Sequence, residues 1–406
     1  MTTRNHTKIE LETLATFKKQ RPSEYFSHID DPAMFEAHSR RVERLYRFGL
    51  AFPPEFFNQK KIIDLGCGTG EHTISLALWG AKCTLVEMNP DAVEIAKNVF
   101  RQYSSNIHEH TFINSSLYDI DLQSLRESFD ISHSRGVFTH VADKKAAFKI
   151  LAELARPGGY VIYGDRNTLG GMQEMLQRYA IYALGGVDDQ KIVEIAEALF
   201  SFDIDRSQRS IPRTREAIIF DRWVIQQQDD PSIEEVLNFF EEEGIEYVNS
   251  WPRIDFLGRG ASTHSDPRGH ENLKRGGQLI ELLWMLFNNG ELENIESIER
   301  FEQPATFYQE LATLGKTLRN IQIKNSINVN QISDGFAKLA LLSDSPSTRL
   351  NERIDVFVTE VQDFLQVIAA ESDLGDIRKK VDGYKILFKG FAGVRHVDYI
   401  GFKPYR

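Results

Sequence analysis

Cysteine is nearly absent. The 406 residues hold two, Cys67 and Cys83, one in a glycine-rich turn and one in a predicted strand, which excludes a disulfide framework and suits a reducing cytoplasm. Long hydrophobic runs are missing too. The opening MTTRNHTKIELETLATFKKQ is polar and mixed in charge. No stretch approaches the roughly 20 apolar residues that span a bilayer, so the reading is a soluble, cytoplasmic protein without membrane attachment. Positive charge is in deficit, with 48 Lys and Arg against 59 Asp and Glu and a net charge of -11. The molecule as a whole therefore repels phosphate backbones, and a nucleic-acid partner is disfavoured. His264, Asp266 and His270 match no strong zinc spacing, and no metal is expected. What the chain does have is core material. Hydrophobic residues make up 41% and aromatic residues 11%, and a chain of this length exceeds what one core usually supports, so a second domain or a large appendage is expected.

From Lys61 to Arg166 short apolar segments alternate with helical periodicity: KKIIDL, KCTLVE, HTFINSS, FDISHSR and GGYVIYGD read as strands, with helices between them. This order predicts an α/β fold, a doubly wound and mostly parallel sheet with right-handed crossovers. Asn89 and Pro90 suit an N-cap and first helical position, with Ala92, Ile95, Ala96, Val99 and Phe100 as the buried stripe. A leading helix is read over residues 33 to 50, carrying Phe35, Val42, Leu45, Tyr46 and Phe48, either packed on the sheet or covering a pocket.

The first strand runs into Gly66-Cys67-Gly68-Thr69-Gly70, with Glu71 where a dinucleotide fingerprint has its third glycine. Glycines after a strand let a ligand approach main-chain N–H groups at a helix start, and the missing third glycine argues against a pyrophosphate-binding dehydrogenase. Glu87 ends the second strand, where a carboxylate can accept both hydroxyls of a ribose. Turn, acid and strand order together point to a bound nucleoside.

DLGCGTG followed by VEMN, then FDISHSRGVFTHVAD and LARPGGYVIYGD, resembles the class I methyltransferase family that uses S-adenosyl-L-methionine. The resemblance covers about residues 40 to 165, and within the family it is similar to small-molecule O-methyltransferases. It implies that Asp64, Gly66, Cys67, Gly68 and Gly70 surround the methionine part of the cofactor, and that Glu87, followed by Met88, holds the ribose. It further implies that Ser116 and Leu117 lie at the adenine, and Ser134 and Arg135 beside the methionine amino group and sulfonium. The family often has an acid after the third strand to meet the adenine amino group. This chain has Asn114-Ser115-Ser116-Leu117 there, leaving Ser116 or a backbone carbonyl for that contact.

A methyl group on a sulfonium is already activated, so the protein must chiefly align the acceptor and exclude water, and a hydroxyl acceptor also needs a base. His140, after the fourth strand, is the candidate base, and Asp165, ending the fifth, is its candidate orienting carboxylate or else a helix cap. The expected substrate is a small molecule such as a sugar or secondary metabolite. Alternatives are N-methylation, an RNA or protein substrate, or a catalytically silent cofactor-binding scaffold. The NPPY-type loop of amide and base N-methyltransferases is replaced by Ser134-Arg135-Gly136-Val137.

Beyond residue 166 the pattern loosens. A helix is read over 170 to 200, whereas EAIIFDRWVI has no clear placement. Arg206, Arg209, Arg213 and Arg215 are either an anion site or a solvated face. Tyr179, Tyr182, Trp223, Trp251 and Trp284 either wall an acceptor pocket or pack a core. GIEYVNSW and HVDYIGFK suit a sixth strand and an antiparallel seventh, and YKILF a further strand. The expected organisation is a core over 1–257, a largely helical insertion over 258–390 beginning with a loop at 258–277, and a C-terminal strand over 391–406 that returns to the core sheet. The insertion either covers the acceptor site or makes a homodimer contact.

Overall fold

The computed structural model describes residues 3–20, 31–210, 213–224, 228–255, 269–286, 305–319, 329–342, 348–370, 373–389 and 396–405. Strand β1 (Lys61–Leu65) is buried at every position but the first, as a strand covered on both faces must be. β2 (Lys82–Glu87) and β4 (Phe129–Arg135) flank it in parallel, with Leu65 opposite Val86 and Asp64 opposite His133. β3 (Thr111–Asn114) pairs outside β2, and β5 (Ala155–Arg166) outside β4. β6 (Glu246–Trp251) and β7 (His396–Phe402) run antiparallel to each other, giving the order β3-β2-β1-β4-β5-β7-β6. The seven-stranded sheet with its antiparallel last strand is thus as expected.

Helices α1 (Thr3–Gln20) and α2 (Pro32–Arg44) precede the sheet, and α2 runs into a π-turn over Leu45–Gly49. Val42 and Tyr46, four residues apart, are buried on one face, while Phe48, off that face, is 74% exposed, against the expectation for Phe48. The crossovers are α3 (Thr73–Leu78), α4 (Pro90–Tyr103), the short α5 (Leu122–Leu125) and α6 (Lys144–Leu154). Asn89 caps α4 through the Asp91 N–H, and Ala92, Ala96, Val99 and Phe100 are buried on it.

Contacts along the chain divide it into two units, one of Met1–Asp165, Ile233–Gly277 and His396–Arg406, the other of Arg166–Ser232 and Gln278–Arg395. This grouping differs from the boundaries expected at 257 and 390. α7 (Met172–Gly185), α8 (Asp189–Ser210) and α9 (Arg215–Ile219) precede α10 (Ile233–Glu242) and α11 (His270–Leu286). α12 (Ala305–Arg319), α13 (Val329–Leu342), α14 (Thr348–Ala369) and α15 (Leu374–Gly383) follow. Leu176, Phe200, Trp223, Phe307, Phe336 and Phe364 share one core, so residues 166–232 bury their apolar face with the later helices. Of EAIIFDRWVI, residues 216–224 lie in α9 and a π-turn over Phe220–Val224, and Ile225 lies outside the described residues.

Several readings change in this helical unit. YKILF is not a strand. The N–H groups of Lys385, Ile386 and Leu387 all donate to the Glu360 carboxylate, at 2.5, 3.0 and 2.8 Å, which takes the donors a strand would offer a neighbour. Arg206 pairs with Asp203 at 2.5 Å and Arg213 with Asp221 at 2.8 Å, and Arg215 bonds Glu197 and Asp205. Three of the four arginines are thus neutralised internally, and Arg209 is exposed. Tyr179, Tyr182 and Trp223 are core residues. Of the loop expected over 258–277, residues 258–268, with His264 and Asp266, lie outside the described residues, and His270 onward begins α11.

Candidate active site

A cavity of about 390 Å³ opens at the carboxyl ends of β1 to β4, lined by the glycine turn, Glu87 to Asn89, Ser115 to Tyr118, Arg135 to Val137, and His140. One face of α1, with Glu10, Thr13, Leu14 and Phe17, lines it as well, together with His38, Glu71 and His72.

The turn needs its glycines for two different reasons. Gly66 has φ +72 and a Cβ there would lie 2.5 Å from Val137 Cγ2; Gly68 has φ +55, and a Cβ there would meet nothing within 4 Å. Backbone strain disfavours side chains at both. At Gly68 the open space keeps the main chain accessible from the cavity. Burial, then Asp64 and Glu87, push the pKa of the Cys67 thiol beside it well up.

Glu87 Oε2 accepts the Gly68 N–H at 3.0 Å and Oε1 the Asn89 N–H at 2.8 Å. Burial raises its pKa above the ordinary value, against the pull of these N–H groups. Asn114 Nδ2 donates to the carbonyls of Glu87 and Met88, at 2.9 and 3.1 Å, and so joins the β2 and β3 ends. The Ser116 hydroxyl donates to Glu10 Oε1 of α1.

Nine of the expected residues line the cavity: Gly66, Cys67, Gly68, Glu87, Met88, Ser116, Leu117, Arg135 and His140. Asp64, Gly70, Ser134 and Asp165 do not. Asp64 is buried, bonded to His133 Nδ1 at 2.7 Å and to the Thr73 hydroxyl, and so ties β1 to β4 and to the start of α3. Gly70 packs on Ala96 and Phe100 of α4. Ser134 Oγ donates to the Leu65 carbonyl at 2.9 Å. Asp165 Oδ2 accepts the Thr139 N–H at 3.0 Å and the Tyr163 hydroxyl at 3.3 Å. Asp165 thereby fixes the backbone immediately before His140, whose ring meets Phe17 edge-on at 5.5 Å.

Arg135 Nε donates to Asp398 of β7 at 2.6 Å. Burial pushes Asp398 up, but Arg135 and then His396 outweigh it and hold the carboxyl well below the usual range. His72 stacks on His133 at 5.3 Å and bonds the Tyr46 hydroxyl at 3.2 Å. Burial, then Arg135 and His133, lower its pKa well below the ordinary imidazole value. His38 bonds the Glu71 carbonyl at 3.0 Å and is lowered too, first by burial. Both are neutral near pH 7. Sequence reasoning missed Glu10, Phe17, His38 and His72. The i, i+3, i+4, i+7 spacing of Glu10, Thr13, Leu14 and Phe17 was the available signal, masked by polar residues at two of the four positions. Among the described residues no group of His, Cys, Asp and Glu is placed to hold a metal ion, and no helix is long and apolar enough to cross a membrane.

Residues 57–244 match a family model described as a methyltransferase domain. The ubiquinone biosynthesis O-methyltransferase of Coxiella burnetii is 32% identical over 109 residues, covering 27% of this chain and 44% of that protein. The O-methyltransferase cnsE of Penicillium expansum is 28% identical over 139 residues, covering 34% and 48%. The chain spans about half the length of the curated relatives it matches. A solved SAM-dependent methyltransferase of Thermotoga maritima aligns over 59% of this chain and 83% of its own, at 15% identity and a TM-score of 0.34. The family match falls on the strand order and glycine turn described above, so residues 57–244 carry a methyltransferase domain built like those of the class I, S-adenosylmethionine-dependent enzymes. S-adenosyl-L-methionine is the cofactor that goes with it. The site fits such a nucleoside: the space above Gly68 is open, and Glu87 and Ser116 stand at successive strand ends along one cavity.

Proposed function

We propose that this chain methylates a hydroxyl of a small molecule, such as a sugar or secondary metabolite, with His140 as general base. The observation that carries this is His140 lining the same cavity as the glycine turn and Glu87, its preceding residue pinned by buried Asp165. The relatives named O-methyltransferases support the choice of oxygen. The net charge of -11 supports a small acceptor over nucleic acid.

In this reading Gly66 and Gly68 lie along the methionine part, Glu87 accepts the ribose hydroxyls, and Ser116 and Leu117 flank the base. The cofactor supplies a methyl group on a positively charged sulfur, ready for in-line displacement. His140 takes the acceptor's proton as the new oxygen–carbon bond forms. Asp165 acts at one remove: it holds Thr139, and with it the approach of His140. Phe17 and Leu14 of α1 exclude water from the reacting end. Arg135, committed to Asp398, contributes fixed positive charge at the cavity wall rather than a mobile arm.

Incubation with methyl-labelled donor and a small-molecule extract, read by mass spectrometry, tests this. A labelled O-methyl product is expected, and His140→Ala should lower its kcat by about 10²–10⁴-fold with little change in cofactor affinity. Unchanged turnover in His140→Ala would refute the base assignment. A labelled amine product would refute the acceptor class.

A further inference from the structure

We infer that Glu10 of α1 recognises the exocyclic amino group of the cofactor's adenine, so that a helix outside the sheet supplies the carboxylate missing at the end of β3. This rests on the methyltransferase reading of the same cavity.

The strand ends set out the ligand's course. The glycine turn follows β1, Glu87 ends β2, and Ser116 follows β3, and these strands are consecutive neighbours. A nucleoside whose ribose meets Glu87 and whose other end lies at the glycine turn must place its base beyond β2, at Ser115 to Leu117. Adenine presents an amino group there, which needs an acceptor. Asn114 does not line the cavity, its Nδ2 being bonded to the Glu87 and Met88 carbonyls. Ser116 Oγ donates to Glu10 Oε1 and already accepts the Tyr118 N–H at 3.3 Å. Glu10 Oε2 has no hydrogen-bond partner among the described residues, and Glu10 lines the cavity.

The rest of α1 agrees with this placement. Phe17 lies seven residues on, about 10 Å along a helix axis, where it meets His140. The helix therefore runs from the β3 end to the β4 end over the length the ligand would occupy. Between them the Thr13 hydroxyl is buried without a hydrogen-bond partner.

The consequence is a specificity rule that a catalytic assay would not reveal. Replacing the 6-amino group by a 6-oxo group turns a donor toward Glu10 into an acceptor facing a carboxylate. Calorimetric binding of S-adenosylhomocysteine and its inosine analogue to the full chain tests this directly. The wild type should prefer the adenine compound by about ten- to a hundredfold, the scale of a charged hydrogen bond. Glu10→Ala should bring the ratio close to one. Glu10→Gln, which keeps size and can present its amide N–H groups to an oxo group, should do so as well or invert it. Glu87→Gln is the control: it should weaken both compounds and leave their ratio at the wild-type value. A Glu10→Ala ratio equal to that of the wild type would overturn the assignment. Binding of neither compound by the wild type would instead overturn the cofactor reading, and the role of Glu10 with it.

Discussion

Gly66 and Gly68 are two residues apart, both with positive φ, and the structure predicts different outcomes for alanine at each. At Gly68 the cost to folding is the left-handed backbone alone, about 1–2 kcal/mol, since a Cβ meets nothing within 4 Å. At Gly66 the same strain is joined by a Cβ placed 2.5 Å from Val137 Cγ2, and overpacking of that kind adds roughly 1–3 kcal/mol. At about 2–4 °C per kcal/mol for a 150–250-residue domain, Gly68→Ala should lower the melting temperature by a few degrees and Gly66→Ala by clearly more. Ligand response should separate them further. S-adenosylhomocysteine at a hundred times its dissociation constant stabilises by about 2.7 kcal/mol, roughly a 5–10 °C rise. A methyl group on Gly68 projects into the space through which a ligand approaches the main chain. A hundredfold loss of affinity leaves only about 0.4 kcal/mol at that concentration, close to 1 °C. Differential scanning fluorimetry with and without the compound measures all four numbers. A Gly68→Ala protein that keeps the full ligand-induced rise would refute the placement of the cofactor on this turn.

Two further outcomes follow from the electrostatics. Because burial raises the Glu87 pKa, Glu87's contribution to folding is full below the ordinary glutamate value of about 4.3 and falls as pH rises through the folded value. Ribose binding needs the carboxylate, so affinity for S-adenosylhomocysteine should fall with acidification already above pH 4.3. Glu87→Gln should bind about 10- to 100-fold more weakly at pH 7 without that acid limb, and an identical limb in both proteins would remove Glu87 from the ribose site. Asp398 has the opposite sign: its depressed pKa makes its stabilisation complete above the unfolded value of about 3.9 and lost only as pH falls through the folded one. Asp398→Asn should therefore cost roughly 1–2 kcal/mol in urea unfolding, a modest figure because Arg135 is a third exposed. The cost should persist at pH 4.5, and a difference that vanishes by pH 4.5 would contradict the pairing.

The sheet was legible because each of its signals is local. Ile62, Ile63 and Leu65 in one short run, Asn89-Pro90 before an apolar stripe, and Glu87 at a strand end all lie within a few residues of what they determine. The cover was not. Glu10 matters because of Ser116, 106 residues away, and α1 is polar enough to pass for a solvated tail. Asp165 illustrates a finer limit: its place on the carboxyl edge was predictable, but its attachment to the Thr139 backbone depends on how the loop after β4 closes. YKILF has the composition of a strand and became a turn because Glu360 collects its N–H groups, a partner that no pattern of alternation encodes.

The position of β7 between β5 and β6 also sets a schedule for synthesis. β6 ends at Trp251 and β7 at Phe402, so the sixth strand leaves the ribosome with no neighbour to bond until about 150 further residues have followed. At ~5–20 residues per second that is an interval of roughly 8–30 s. Through it the β5 edge stands open and β6 is a strand in waiting. β7 is the segment that joins them, so loss of that strand alone would uncover the β5 edge and leave β6 without its partner.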